Sequence, residues 1–253
     1  MKQLLQKGWK PVLVLILLVI VWEVSTRIFQ VPSWLLPAPS LIVQTGVEDW
    51  LNYQHHIVST VRLTLIGFVI GSSAGIVIAA VLHLIPSFRE ALYPLLIISQ
   101  NIPVIVLAPL LVVWFGFGML PKIIIIALVC FFPIAVSALE GFRQTDRDLL
   151  HYMKMAGAGK QQVFWKLEWP SALPYVFSGL KISATYSVMG AVISEWLGAN
   201  NGIGVYMTMA SSSFRTDRVF VAIIFVIILS MLFFALIMLA EKKIIKWKRK
   251  GDE

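Results

Sequence analysis

Charge is what this sequence has least of. Asp, Glu, Lys and Arg make up 13% of its 253 residues, roughly half the share found in soluble domains. A water-soluble fold would have no means of hiding the 58% that is hydrophobic. With a single cysteine, Cys130, an internal disulfide and a C-x-x-C metal or redox pair are both excluded. There is no H-E-x-x-H, no catalytic carboxylate pair and no G-x-x-x-x-G-K-[ST] nucleotide loop, of which Gly157-Ala158-Gly159-Lys160 is only a partial look-alike. The chain therefore carries no expected catalytic residue, metal site or cofactor.

What the sequence does have is long apolar runs, with a mean hydropathy of +0.84. Several of them approach the roughly 20 residues that a helix needs to cross hydrocarbon. Punctuated by Pro, Gly and charge, they predict an all-α polytopic membrane protein in one domain, 1–253, with six spans near 11–29, 57–85, 92–115, 120–139, 173–197 and 219–240. Lys2, Lys7 and Lys10 give the first run the look of a signal peptide. The run is too long for an h-region and lacks a small-residue cleavage site, so it reads as the first span.

Six spans put both termini on one side. If that side is the cytoplasm, it holds 15 of the 21 basic residues, as expected when Lys and Arg in short loops resist translocation. The net charge of +8 is thus a topology signal and not a nucleic-acid one. The basic tail KKIIKWKRK reads as an anchor against anionic membrane lipid.

Within the second span, Gly67, Gly71, Gly75 and Ala79 recur every fourth residue and form a helix-packing seam. The same segment, Gly71-Ser72-Ser73-Ala74-Gly75, matches the letters of a G-x-S-x-G nucleophile elbow and raises the alternative of an intramembrane serine hydrolase. That elbow needs a sharp strand-to-helix turn, whereas these glycines keep helical register. In the third span, Pro94, Pro103 and Pro109 flank a polar patch of Ser99, Gln100 and Asn101. Such groups are costly in lipid, and with Glu195 at the outer end of the fifth span they are the expected substrate pathway. Glu195 and Lys181 are also placed to reach an interface by snorkelling, and an ion-coupled transporter built on them is a third reading, without the internal repeat it calls for. Glu23 and Arg27, four apart, predict an ion pair on one helix. His55 and His56 are adjacent and diverge on a helix, which speaks against a metal site.

From about 140 to 172 the chain turns polar without becoming low in complexity. Leu149, Leu150, Met153, Ala156 and Gly157 fall at amphipathic-helix spacing. Gly157-Ala158-Gly159 offers a turn tolerant of positive φ, and Val163, Phe164 and Leu167 mark a second short helix that Pro170 and Pro174 end before the fifth span begins. This compact knob presents Lys160, Gln161, Gln162 and Lys166 to water or to a partner, and an idle connection would be far shorter.

Gly157, Ala158 and Pro170, followed by Ala172-Leu173-Pro174, resemble the "EAA" cytoplasmic loop of binding-protein-dependent ABC importer permeases; the Glu-Ala-Ala opening of that loop falls here on His151-Tyr152-Met153. Leu36-Pro37-Ala38-Pro39-Ser40, Trp114-Phe115-Gly116-Phe117-Gly118, Ser194-Glu195-Trp196-Leu197-Gly198 and Gly202-Ile203-Gly204 extend the resemblance over nearly the whole chain. They look like the nitrate, sulfonate and taurine branch, which includes permeases for the hydroxymethylpyrimidine precursor of thiamine. The resemblance implies a type I importer permease in the inner membrane, working as a homodimer with separate ATP-binding cassette subunits and an extracellular or periplasmic substrate-binding protein. It also implies ATPase coupling through Met153, Gly157, Ala158, Gly159, Gln161, Phe164 and Pro170. The implied cargo is a thiamine precursor, with sulfonate, taurine or nitrate as the alternative.

Overall fold

A computed structural model describes residues 2–246, with side chains from residue 9 onward, so the end of the basic tail from Trp247 lies outside the described residues. The described chain is helical and without strands. It runs through α1 (Lys2–Ile28), α2 (Pro39–Glu48), α3 (Trp50–Leu84), α4 (Pro86–Ser99), α5 (Val104–Phe115), α6 (Met119–Arg143), α7 (Arg147–Met155), α8 (Lys160–Val163), α9 (Trp169–Glu195), α10 (Ile203–Ser212) and α11 (Thr216–Ile244). Five segments are long and apolar enough to cross a membrane, and six if the bent pair α4–α5 is one span.

The three longest inward-facing helices, α3, α6 and α9, form the centre. Small residues allow their close approach. A Cβ placed on Gly67 would sit 2.5 Å from Cβ of Ile126, and one on Gly71 would sit 2.8 Å from Cα of Ala127, so the glycine seam meets α6 of the same chain. A Cβ on Gly179 of α9 would sit 3.0 Å from Cα of Ile134 and from the Pro133 carbonyl oxygen. Lipid offers no hydrophobic drive between helices, so van der Waals contact and cross-helix hydrogen bonds supply the attraction. One such pair is Ser183 Oγ donating to the Cys130 carbonyl at 2.9 Å, with both residues fully buried. Cys130 is thus a small buried packing residue.

Around this centre the outer faces are apolar and exposed. Leu15, Leu18, Val113 and Met231, for instance, all show more than half of their surface, as a hydrocarbon solvent permits. α1 touches the rest mainly through α2. There Glu23 pairs with Arg27 at 2.6 Å, as the spacing predicts, and also accepts from Ser40 N at 2.9 Å and Ser40 Oγ at 2.8 Å. The Leu36–Ser40 element is thereby tied to the first helix.

Several boundaries differ from the sequence reading, two of them at the site. α3 begins at Trp50 and not near 57, because its first two turns pack Tyr53 and His56 against α10 and α11 and so need not be apolar throughout. Pro170 does not end a helix. The chain is helical from Lys160 to Glu195, with a π turn at Phe164–Glu168 in which Trp169 N donates to the Phe164 carbonyl five residues back. The inserted residue shifts the hydrogen-bond ladder just ahead of Pro170, which has no N–H to contribute.

Candidate coupling hairpin and polar path

The hairpin is built from local rules. Asp146 caps α7, accepting from Asp148 N at 2.8 Å and Leu149 N at 3.3 Å. α7 ends on Gly157 at φ +78, with Ala158 N donating to the Met153 carbonyl at 3.0 Å, a left-handed helix end that a β-carbon would strain. Gln162 then reaches back to accept from Gly159 N at 3.1 Å and starts α8. None of α7 is buried: Leu149 is 50%, Tyr152 66% and Met155 81% exposed. These three lie three residues apart and share one face. Met153 is half-buried, Gly157, Gly159 and Gln161 are exposed, and Ala158 and Pro170 are half-buried.

The root of the knob is rigid. Phe164 is 6% exposed and packs on Phe142 and Trp169. His83, at the end of α3, stacks on Phe142 with ring centroids 4.6 Å apart, and its Nε2 lies 3.0 Å from Oε2 of Glu168. Four elements therefore meet at one point: the ends of α3 and α6, the π turn and the start of α9. Sequence reasoning missed both His83 and Glu168, since nothing in the spacing of two single residues so far apart signals that they meet.

The polar patch of the third span falls on a break. α4 and α5 are bent by 99° across it. Pro103 brings no N–H to the ladder at this break and, with extended φ and ψ, stands as the N-cap of α5. Ser99 Oγ donates to the Leu96 carbonyl and Asn101 Nδ2 to the Ile97 carbonyl, leaving Gln100 exposed without a side-chain hydrogen bond among the described residues. Polar groups exposed at such a break call for a protein or water-lined neighbour, not lipid.

Glu195 lies apart from that patch. It does not snorkel: it is 1% exposed, and its carboxylate accepts from Thr60 Oγ1 at 2.7 Å and from Gly204 N at 2.8 Å. Thr60 Oγ1 also accepts from Ile203 N at 2.8 Å, and His56 Nδ1 accepts from Gly202 N at 3.0 Å. This staple joins α3, the end of α9 and the start of α10. It also accounts for two glycines of the Gly202-Ile203-Gly204 turn, where a Cβ on Gly202 would overlap the Glu195 carboxylate and one on Gly204 would sit 3.0 Å from Glu195 Cβ. Lys181 pairs instead with Glu241 of α11 at 3.0 Å, so the two ionisable residues of α9 serve separate contacts. Ser73 lies in mid-helix, with no turn to present it. Among the described residues no group of three His, Cys, Asp or Glu is placed to hold a metal ion.

A multi-span helical body with a broken span, an internal glycine seam and a rigid polar knob on one face has the features of the membrane-embedded subunit of a transporter. The chain belongs to the family described as binding-protein-dependent transport system inner membrane component, which it matches over residues 67–246. It is 35% identical to the formylaminopyrimidine transport permease protein ThiX of Halalkalibacterium halodurans, over 95% of this chain and 96% of that one. It is 31% identical to the putative aliphatic sulfonates transport permease protein SsuC of Bacillus subtilis over 97% and 90% of the two chains, and 28% identical to the taurine transport system permease protein TauC of Escherichia coli over 92% and 86%. A crystal structure of an amino acid ABC transporter with histidines shares the fold, with a TM-score of 0.67 at 15% identity over 79% of this chain and 97% of that one. The protein is therefore an ABC importer permease, a multi-pass inner-membrane subunit and not an enzyme.

Proposed function

We propose that two copies of this chain form the path of an importer that brings a thiamine precursor of the hydroxymethylpyrimidine type into the cell. An external binding protein delivers the cargo, and a separate pair of ATPase subunits grips the 140–172 hairpin on the cytoplasmic side, where both termini also lie. The observation that carries this is the exposed Leu149, Tyr152 and Met155 face of a helix whose root is locked to α3, α6 and α9. An apolar face left in water is a docking surface, and a rigid root lets closure of the ATPases bias the spans between inward and outward openings. Ser99, Gln100 and Asn101 at the broken span line the path in this reading, and Glu195 positions its outer end.

Tyr152→Asp combined with Met155→Asp is the direct test. Co-purification with the ATPase subunits should be lost while the permease still assembles in the membrane; retention of the ATPase would remove the hairpin from its role. Cargo is tested by uptake of labelled formylaminopyrimidine into proteoliposomes with the complete complex. A second cargo reading, an aliphatic sulfonate, is favoured by one specific feature, a pair of unneutralised cations at the end of the molecule opposite the hairpin.

A further inference from the structure

At that end, α3, the first turn of α6 and the loop after α9 enclose a cavity of about 330 Å³ lined by His55, Ser59, Arg62, Lys122 and Asn201. Among the described residues, five Lys and Arg sit at this end. Three of them are neutralised: Arg27 by Glu23 at 2.6 Å, Arg215 by Asp217 at 2.8 Å and Arg218 by Asp49 at 2.6 Å. The Asp217 hydrogen bond holds the Arg215 guanidinium above even its ordinary basic range. Arg62 and Lys122 have no carboxylate partner among the described residues, and these two face the same cavity.

Among the described residues no carboxylate lines the cavity. Glu195, the acid of the neighbouring staple, is buried with its oxygens held by Thr60 and Gly204. Helix stability does not explain the lysine either, because the first turn of a helix is where its dipole disfavours a cation. A concave wall with two like charges focuses a positive field. A guanidinium offers a planar fork of donors suited to an oxyanion, the ammonium a point charge, and Ser59 and Asn201 add neutral donors.

We propose that this basin binds a small soluble oxyanion, a sulfonate, carboxylate or phosphate group, through Arg62 and Lys122. The binding stands on the basin alone. Its assignment to the cargo rests on the importer reading, and there it separates the two cargo classes: a neutral pyrimidine leaves both cations unsatisfied, whereas an aliphatic sulfonate does not.

The test is calorimetric titration of methanesulfonate, and separately of inorganic phosphate, into the complete complex in phosphatidylcholine nanodiscs, without ATP. Saturable binding of at least one anion should weaken about tenfold in Arg62→Gln and in Lys122→Gln, the loss of one close charge contact. It should persist in Arg62→Lys, with the thermal unfolding midpoint unchanged in all three. Binding of methanesulfonate together with sulfonate uptake assigns the anion to the cargo; binding of phosphate alone assigns it to a free inorganic anion. Absence of saturable binding, or binding indifferent to both glutamine variants, overturns the proposal. So does a wild type that binds neither anion but co-purifies with an anionic phospholipid that the variants shed. Loss of binding-protein-stimulated ATP hydrolysis in the wild type would instead count against the importer reading, since the titration needs no ATP.

Discussion

Glycine carries much of the specificity of this chain at the level of single residues, and its positions are unequal. At Gly71 a β-carbon would meet α6 backbone at 2.8 Å, so Gly71→Ala forces α3 and α6 apart. At Gly190 the nearest atom would be 3.6 Å away, an ordinary contact. Overpacking of the first kind costs about 1–3 kcal/mol. Thermal unfolding of the detergent-purified permease should therefore show Gly71→Ala clearly destabilised and Gly190→Ala near wild type. Glu195 is the other residue on which much depends. Glu195→Ala would orphan the buried Gly204 N–H, at about 1–3 kcal/mol, and leave the Thr60 hydroxyl only the His56 carbonyl, 3.1 Å away, to donate to. The same unfolding measurement should show a larger loss than for Ser73→Ala, whose side chain is exposed on α3. Full retention of stability in Glu195→Ala would mean that the staple is not structural.

Among the elements, the π turn and the His83–Glu168 contact beside it matter most. His83 and Glu168 tie the base of the hairpin to α3, which in turn carries the glycine seam against α6 and Thr60 of the staple. Removing the tie should loosen transmission without dislodging the ATPases. In reconstituted complexes, His83→Ala and Glu168→Gln should leave ATP hydrolysis within about a factor of two while transport per ATP falls several-fold, a coupling change on the scale of 1 kcal/mol or more. Equal loss of both activities would indicate simple misfolding of the hairpin root.

Much at this scale was legible beforehand. Apolar length is a strong signal in lipid because every backbone group must be satisfied inside its own helix, and Pro94, Pro103 and Pro109 around Ser99-Gln100-Asn101 set the third span apart, though not as two helices. The passage of the helix through Pro170 was not legible, since a π turn leaves no residue pattern of its own. Nor were the contacts His83–Glu168 and Thr60–Glu195, the latter 135 residues apart in the chain, because each depends on how three helices are placed and not on spacing along one of them.

At the scale of the whole molecule, the proposed function puts the hairpin on one side of the membrane and the basin of Arg62 and Lys122 on the other. Cys130, the single cysteine, is fully buried, so background labelling is low and single-cysteine reporters are clean. Met155→Cys and Asn201→Cys should react with a membrane-impermeant maleimide from opposite sides, Asn201→Cys in intact cells and Met155→Cys only after the cells are opened. In the proposed function, ATP-driven movement enters this permease through the turn at Gly157, whose φ of +78 proline cannot adopt. The measurement that bears on it most directly is uptake by proteoliposomes carrying the complete complex with Gly157→Pro. The expected result is a correctly inserted permease that has lost ATPase association and uptake together; wild-type uptake with the ATPase still bound would contradict entry of the movement through this turn.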